Sequence, residues 1–232
     1  MDRLIYTAMT GANASQQRQQ LLANNLANAS TPGFRAELST FRAVPVRGDG
    51  ASTRVFALEA TAGHSDAPGP ITNTGRNLDV AARGNSYFAV LGLDGTEAYT
   101  RAGSLEVNTE GTLVNPQGLS MLSDGGPIVA PANAQLVMGE DGTVTARVSG
   151  QPPQNLGRLK LVTPDADNRL KRSEDGLFRG PLGDPLVADA NARMQSGALE
   201  GSNVNPIEAM GGMIAVARPV PYTHLRAHEN PE

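Results

Sequence analysis

Two histidines and a few acidic residues come nearest to a metal-binding set in this chain. His224 and His228 have the i, i+4 spacing at which two imidazoles on one helix could share a zinc ion, but prolines precede them and no helical pattern supports that spacing. Asp165, Asp167 and Asp175 could suggest calcium, but no twelve-residue loop with a terminal bidentate glutamate surrounds them. We therefore expect no metal site and no cofactor.

The residue types needed for nucleophilic or phosphate chemistry are also poorly placed. The chain has no cysteine, no Gly-x-Ser-x-Gly turn, and no Gly-Lys-Ser/Thr after Gly125-Gly126-Pro127. The basic residues Arg169, Lys171 and Arg172 lie among acidic ones, and the net charge of −4 gives no field that attracts nucleic acid. We predict no catalytic residue and no nucleic-acid partner. A hydrolase of cell-wall polymer remains a remote alternative, because it would need two carboxylates in a cleft and none stand out.

An asparagine-rich stretch is the most informative segment of the chain. Asn24, Asn25 and Asn28 fall within five residues, just before Pro32-Gly33. Asparagine is a poor helix former, so an interaction must offset its cost. We expect these amides to face neighbouring helices and fix their register, as a buried asparagine does in a coiled coil. Simple fraying of the helix before Pro32 is the alternative.

The element that carries this stretch is a long N-terminal helix, predicted from about Asp2 to Asn28. Its heptad positions, at alternating spacings of three and four, are Ile5, Ala8, Ala12, Ser15, Gln19, Leu22 and Leu26. The helix would be roughly 40 Å long, and its centre, residues 11–20, is small and polar. Such a helix has too little apolar surface to stand alone. It is either an ordinary core helix or one that pairs on assembly.

The middle of the chain changes pattern. Residues 36–76 read as a connector with one strand at Thr53–Ala60. From residue 77 to 195, short apolar pieces such as Tyr87–Leu91 alternate with Asp-Gly, Glu-Gly and Asn-Pro-Gln-Gly turn signals, which predicts hairpins in an all-β domain.

A second helix is predicted at the other end of the chain. Asn205 is a good N-cap, Pro206 suits the first helical position, and the apolar residues repeat the three-four spacing. Those residues are Ile207, Met210, Ile214 and Ala217. The N-terminus shows no Sec-type signal peptide, and no run of 18 apolar residues could span a membrane.

Three separated motifs resemble the bacterial flagellar rod and hook protein family. The first is Asn24–Asn28 with Thr31-Pro32-Gly33-Phe34-Arg35, and the second includes Tyr99-Thr100-Arg101-Ala102-Gly103. The third runs from Leu199 to Met210. They occur in the family's order and cover residues 1 to about 218, and the third motif is most similar to that of the proximal-rod members.

The resemblance implies an α+β fold. In this fold the N- and C-terminal helices form an axial coiled-coil domain, and a central all-β domain lies outside it. Its segments would be 1–35 (N-terminal helix and motif), 36–76 (connector), 77–195 (outer β domain) and 196–218 (C-terminal motif and helix). The assembly interface would include Ile5, Ala8, Ala12, Leu22, Asn24, Asn25, Leu26, Asn28, Ile207, Met210 and Ile214.

The implied function is that of a non-enzymatic, self-assembling subunit of the basal-body rod. Its partners would be further copies, other flagellar rod subunits and the flagellar type III export apparatus, which would export it without a cleaved signal peptide. Phe34 and Leu38 fit a weak export pattern, although an anchor beneath the helix is the favoured role for Phe34. A distal-rod or hook paralogue is the alternative identity.

One position and one segment depart from the family pattern. Ser86 stands where the family usually has glycine. Residues 219–232 carry no heptad, and Pro219 and Pro221 would stop the helix several turns earlier than in relatives. We expect this tail to be unpacked and the shortened helix to weaken assembly.

Overall fold

The structure is a computed structural model that describes residues 2–45, 55–165, 168–173 and 175–217. The predictions for residues 219–232, and for the histidine pair at 224 and 228, lie outside the described residues. So do the side chains of Ile5 and Ala8, for which only the backbone is described.

The chain divides into two compact units. The described parts of Met1–Ala29, Glu37–Gly63 and Val204–Glu232 form the helical unit, and Ser30–Ala36 with His64–Asn203 form the β unit. The chain therefore passes between the units four times. The N-terminal helix, the C-terminal helix and the central β-rich region predicted from the sequence are all confirmed.

The helical unit contains two helices and a two-stranded sheet. Helix α1 spans Asp2–Ala27 and helix α2 spans Pro206–Ala217. The Asn205 carboxamide oxygen accepts hydrogen bonds from the backbone N–H groups of Ile207 (3.1 Å) and Glu208 (3.3 Å), which is the N-cap expected from the sequence. Strands β1 (Glu37–Pro45) and β2 (Val55–His64) pair with each other.

Helix α2 packs on the second half of α1. Ala209 is buried, and a methyl group added at Gly212 would lie 3.1 Å from the Cδ1 atom of Leu22. Small residues on this face of α2 thus allow the two helices to approach closely.

The β unit is built from short strands. They are β3 (Ile71–Asn73), β4 (Val80–Ala82), β5 (Tyr87–Leu91), β6 (Glu97–Thr100), β7 (Glu106–Val107), β8 (Leu113–Val114), β9 (Leu122–Ser123), β10 (Gly126–Pro127), β11 (Gln135–Met138), β12 (Thr143–Arg147), β13 (Gln154–Arg158), β14 (Leu161–Val162), β15 (Lys171–Arg172), β16 (Phe178–Arg179), β17 (Met194–Ser196) and β18 (Ala198–Glu200).

Their main sheet has the order β14-β5-β6-β16-β15, and a second sheet has the order β11-β12-β13. Side chains alternate across β5, so Phe88 and Val90 lie in one apolar cluster whereas Tyr87 and Ala89 lie in another. Both faces of this central strand are therefore buried, which explains its continuous run of apolar residues.

Segment 36–76, predicted as a connector with one strand, contains three strands in the structure. Strand β2 covers most of the predicted strand, but β1 has no clean alternation of apolar residues that would reveal it. Strand β3 pairs antiparallel with β18, and β4 pairs with β17. These partners are more than 100 residues apart along the chain, so local patterns could not predict the pairing.

Neither helix in the described part of the chain combines the length and the apolar character needed to cross a bilayer.

Candidate assembly interface

The heptad residues of α2 face solvent. Ile207, Met210 and Ile214 have exposed fractions of 76%, 46% and 61%. They form one stripe at spacings of three and four, opposite the face that packs on α1 through Ala209 and Gly212. We call Ile207, Met210 and Ile214 the outer stripe of α2. Pairing of the two helices within the chain does not use it, so it is available to another molecule.

Helix α1 also has a stretch whose side chains are exposed to solvent. Every residue from 15 to 20 is exposed, as are Met9 and Ala12, whereas Leu22 and Leu26 are half-buried. Among the described residues, nothing packs around this part of the helix. An isolated helix of this length is marginal in water, so contacts beyond those of the described residues would stabilise the uncovered stretch.

The three asparagines form a network within the chain. Asn25 is buried, and its amide donates to the Glu37 carbonyl oxygen (2.9 Å) while its oxygen accepts from the Glu37 backbone N–H (2.8 Å). Asn24 is exposed and lies 3.3 Å from the Glu37 carboxylate. Asn28 donates to the Asn24 side-chain oxygen at 2.7 Å.

The structure thus gives Asn25 a different role from the expected one across helices. The N–H and the oxygen of the Asn25 carboxamide bond to the Glu37 backbone as the backbone of a neighbouring strand would. This asparagine therefore fixes the start of β1 to the end of α1. Asn24 and Asn28 remain at the surface or half-buried, where a neighbouring molecule could still reach them.

We expect Asn25→Ala to destabilise the helical unit and leave the β unit unchanged. The substitution removes the two hydrogen bonds that Asn25 makes with the Glu37 backbone, which costs about 1–3 kcal/mol. Hydrogen exchange of the amides in α1 and β1, compared with those in β5 and β6, measures the effect. Asn24→Ala, at the adjacent exposed position, is the matched control. Equal exchange in both variants would contradict this role for Asn25.

Parts of the three sequence motifs meet inside the β unit, where backbone hydrogen bonds join them. The Gly33 N–H donates to the Glu200 carbonyl oxygen (2.8 Å), and the Asn203 N–H donates to the Phe34 carbonyl oxygen (3.2 Å). Gly33 has a φ of +71°, and a Cβ there would lie 2.3 Å from the Arg101 carbonyl carbon, so only glycine fits. We call this meeting of residues 31–36, Arg101 and residues 199–203 the motif junction.

A buried ionic triad lies at the centre of the motif junction. The Glu200 carboxylate contacts the Arg35 guanidinium at 3.0 Å and the Arg101 guanidinium at 2.7 Å, and all three side chains are at most 2% exposed. Glu200 also accepts from the Gly69 N–H at 2.9 Å. Burial lowers the pKa of Arg101, and the charge of Glu200 opposes that shift. Arginine nevertheless stays charged in proteins, so Glu200 must compensate two buried cations.

Backbone carbonyl groups and an aromatic ring complete the surroundings of the two arginines. Arg35 donates to the Ala67 carbonyl oxygen, and Arg101 donates to those of Ser86 and Gly84. The Arg101 guanidinium also lies 5.4 Å from the centre of the Tyr87 ring. These oxygens and the ring face disperse the positive charge that one carboxylate does not balance.

Sequence reasoning missed this triad. The signal in hindsight is that Arg35, Arg101 and Glu200 are charged residues whose sequence neighbours in their motifs carry no charge. Ser86, which replaces the family's usual glycine, is buried, and its hydroxyl lies 3.0 Å from that of Thr163. Its backbone does not adopt a positive φ, so serine is accommodated there.

The two export-candidate residues differ in exposure. Phe34 is buried within the β unit under the Arg172 guanidinium, which lies 4.5 Å from the ring centre. Leu38, on β1, is 51% exposed.

His64 is a half-buried histidine of the β unit that lies near Arg35 of the motif junction. Its ring packs against Phe178 at 4.7 Å, and its Nε2 atom lies 3.1 Å from the Asp66 carboxylate. Burial lowers the pKa of His64 below 6.5, with Arg35 and Arg172 adding to the shift and Asp66 opposing it.

We therefore expect stability of the β unit to fall as the pH drops through about 6.5, the pKa of histidine in an unfolded chain. The unfolded state then takes up a proton that the folded state resists, whereas above this pH the histidine is neutral in both states. Urea unfolding at pH 7.5 and 5.5 measures the loss, which should be smaller in His64→Gln. An equal loss in both proteins would contradict the role of His64.

Among the described residues, no three His, Cys, Asp or Glu side chains are clustered as metal ligands would be.

Three family models match the chain in sequence order. The flagella basal body rod protein model matches residues 5–35, and the flagellar hook protein FlgE/F/G D1 domain model matches residues 81–146. The flagellar basal body rod FlgEFG protein C-terminal model matches residues 195–218. The first and third models contain Arg35 and Glu200, respectively, and the second contains Arg101.

Individual relatives match over nearly the whole chain. Flagellar basal-body rod protein FlgF of Salmonella typhimurium is 45% identical over 227 residues, which cover 94% of this chain and 90% of that protein. FlgF of Escherichia coli is 44% identical with the same coverage. Flagellar basal-body rod protein FlgG of Bacillus subtilis is 30% identical over 241 residues, or 94% of this chain and 91% of that protein. The chain therefore belongs to the family of flagellar basal-body rod proteins.

Proposed function

We propose that this protein is a structural subunit of the flagellar basal-body rod that assembles through its terminal helices. The observation that carries the proposal is the outer stripe of α2, where three large apolar side chains face solvent although the helix has already packed on α1. Covering such a side chain contributes about 1.5–3 kcal/mol. A stripe repeated on every subunit supplies this contribution at each contact.

The uncovered stretch of α1 supports the same function. Residues 15–20 are rich in glutamine and carry one charge, Arg18, so their amides can donate to and accept from a similar helix. Neighbouring subunits would thereby cover residues that the chain leaves exposed. Helices from successive subunits would form an axial coiled coil, in which folding of the uncovered stretch depends on assembly.

Similarity to the relatives favours the position of FlgF, which we infer to be proximal in the rod. The FlgF relatives from Salmonella and Escherichia coli are 45% and 44% identical, whereas FlgG of Bacillus subtilis is 30% identical. The partners would be further copies of this chain and other rod subunits. A distal-rod or hook position is the second candidate.

Electron microscopy of basal bodies from the bacterium that encodes the chain tests both parts of this proposal. An affinity label on the chain should appear in the rod, at its proximal end. A label at the distal end would support the second candidate, and a label outside the flagellum would contradict a rod function.

We infer that the flagellar type III export apparatus delivers the chain and that the role is not enzymatic. Phe34 is buried in the folded β unit, so an export signal that includes Phe34 and Leu38 could be bound only before folding. Leu38→Ser changes an exposed position and should reduce the amount secreted without reducing the free energy of unfolding. Unchanged secretion would exclude Leu38 from the signal.

A further inference from the structure

The motif junction lies where the chain enters and leaves the β unit. The chain crosses between the units after residues 29, 36, 63 and 203. The segments of the β unit next to these crossings bond directly to one another, since the Ser65 N–H donates to the Ala36 carbonyl oxygen (2.8 Å) and the Asn203 N–H donates to the Phe34 carbonyl oxygen (3.2 Å). The segments of the β unit that adjoin the four crossings are therefore joined to one another by hydrogen bonds at the motif junction.

Asn203 and Glu200 each join several of these segments. The Asn203 oxygen accepts from the Ala36 N–H (2.6 Å), and its amide donates to the carbonyl oxygens of Ser65 (3.0 Å) and Ala67 (2.7 Å). Glu200 joins Arg35 and Gly69 through its carboxylate, in addition to Arg101. Both residues therefore fasten the C-terminal motif to the N-terminal one.

We propose that Glu200 and Asn203 form a clasp that holds the C-terminal end of α1 beside the N-terminal end of α2 and so aligns the helix pair. Helix α1 ends at Ala27, a few residues before Gly33, and α2 begins at Pro206, three residues after Asn203. Tethers of this length reach only roughly 10–20 Å at about 3.5 Å per residue. A closed clasp thus keeps the two helices at a high effective concentration.

The clasp differs from ordinary core packing because its partners come from opposite ends of the sequence. Without Glu200, two buried guanidinium groups repel each other, and without Asn203 three backbone groups lose a partner. Either loss should release the segments next to the helices while strands such as β5 and β12, which lie in the apolar core, keep their partners. The consequence for rod assembly rests on the proposed function, but the clasp itself can be tested on the isolated chain.

The rate of disulfide formation between the helices measures their alignment. The chain contains no cysteine, so Leu22→Cys with Gly212→Cys introduces a unique pair at a close contact between α1 and α2. Oxidation of this cysteine pair is followed at low protein concentration in the double-cysteine protein alone and in the same protein with Glu200→Gln or Glu106→Gln added. Glu106→Gln is the control, because Glu106 is exposed on β7. Limited proteolysis after residues 35, 36 and 64–70 reports whether the junction opens, and near-ultraviolet circular dichroism reports the packing of the β unit.

We expect Glu200→Gln to slow disulfide formation at least tenfold and expose the junction to proteolysis, with the tyrosine signal of the β unit retained. Glu106→Gln should match the background. An unchanged rate in Glu200→Gln would overturn the proposal, whether or not the junction opens. Should Glu200→Gln unfold the β unit entirely, Asn203→Ala decides, because it leaves the ionic triad intact. A rate within twofold of the background in Asn203→Ala would then overturn the proposal, and a tenfold loss would support it.

Discussion

Replacing Glu200 with glutamine should lower the free energy of unfolding of the β unit by about 3–5 kcal/mol, the usual cost of removing one partner from a buried ion pair. Glu200 is the carboxylate that contacts both Arg35 and Arg101, at 3.0 and 2.7 Å. Glutamine has nearly the same shape but no charge. The loss therefore reflects electrostatics rather than a cavity.

Equilibrium unfolding in urea, followed by tyrosine fluorescence, measures this change. Tyr87 and Tyr99 are both buried in the β unit and report its packing. The control is Glu106→Gln, which changes an exposed carboxylate and should alter stability by no more than about 0.5 kcal/mol. A Glu200→Gln loss as small as that of the control would show that the triad is not needed for stability.

Replacing Ile207 and Ile214 together with serine should abolish motility without weakening the isolated subunit. Both side chains are already exposed, at 76% and 61%, so their removal costs the monomer little. In the rod they would be buried, and each would contribute about 1.5–3 kcal/mol to every contact. Losing both should weaken each contact by at least 100-fold, since 1.4 kcal/mol corresponds to a factor of ten.

Swimming in soft agar, with the variant as the only copy in the bacterium that encodes the chain, measures this effect. Leu182→Ser is the control, because Leu182 is 86% exposed but belongs to the β unit. This control should swim normally. Normal swimming of the double variant would show that the outer stripe of α2 is not an assembly contact.

The helices could be predicted from the sequence because their signals are local. Asn205 and Pro206 define the start of α2 by capping, and the chain from Asp2 has a continuous helical spacing that ends before Pro32. Strand β5, an apolar run, and strand β12, an alternating one, were also predictable, since such a pattern between two turns needs no knowledge of its partner. The three-four spacing on α2 correctly marked an apolar stripe, but periodicity alone cannot say whether that stripe faces α1 or solvent.

The motif junction could not be predicted, because its parts are far apart along the chain. Arg35 and Glu200 are separated by 165 positions, as their residue numbers show, and no charged residue adjoins either of them in the sequence to suggest a pair. Asn25 shows a related difficulty. Its sequence context indicates a helix with a poor helix former, but only the structure shows that the amide pairs with the backbone of Glu37.

The most direct test of the proposed function is the accessibility of position 214 before and after assembly. Ile214→Cys places a unique thiol on the outer stripe, because the chain has no other cysteine. A maleimide reagent is applied to the isolated subunit, to purified basal bodies, and to basal bodies after denaturation as a measure of complete labelling. We predict full labelling of the isolated subunit and of the denatured sample, and at least tenfold slower labelling in intact basal bodies. Equally fast labelling of the isolated subunit and the intact basal body would contradict assembly through the outer stripe of α2.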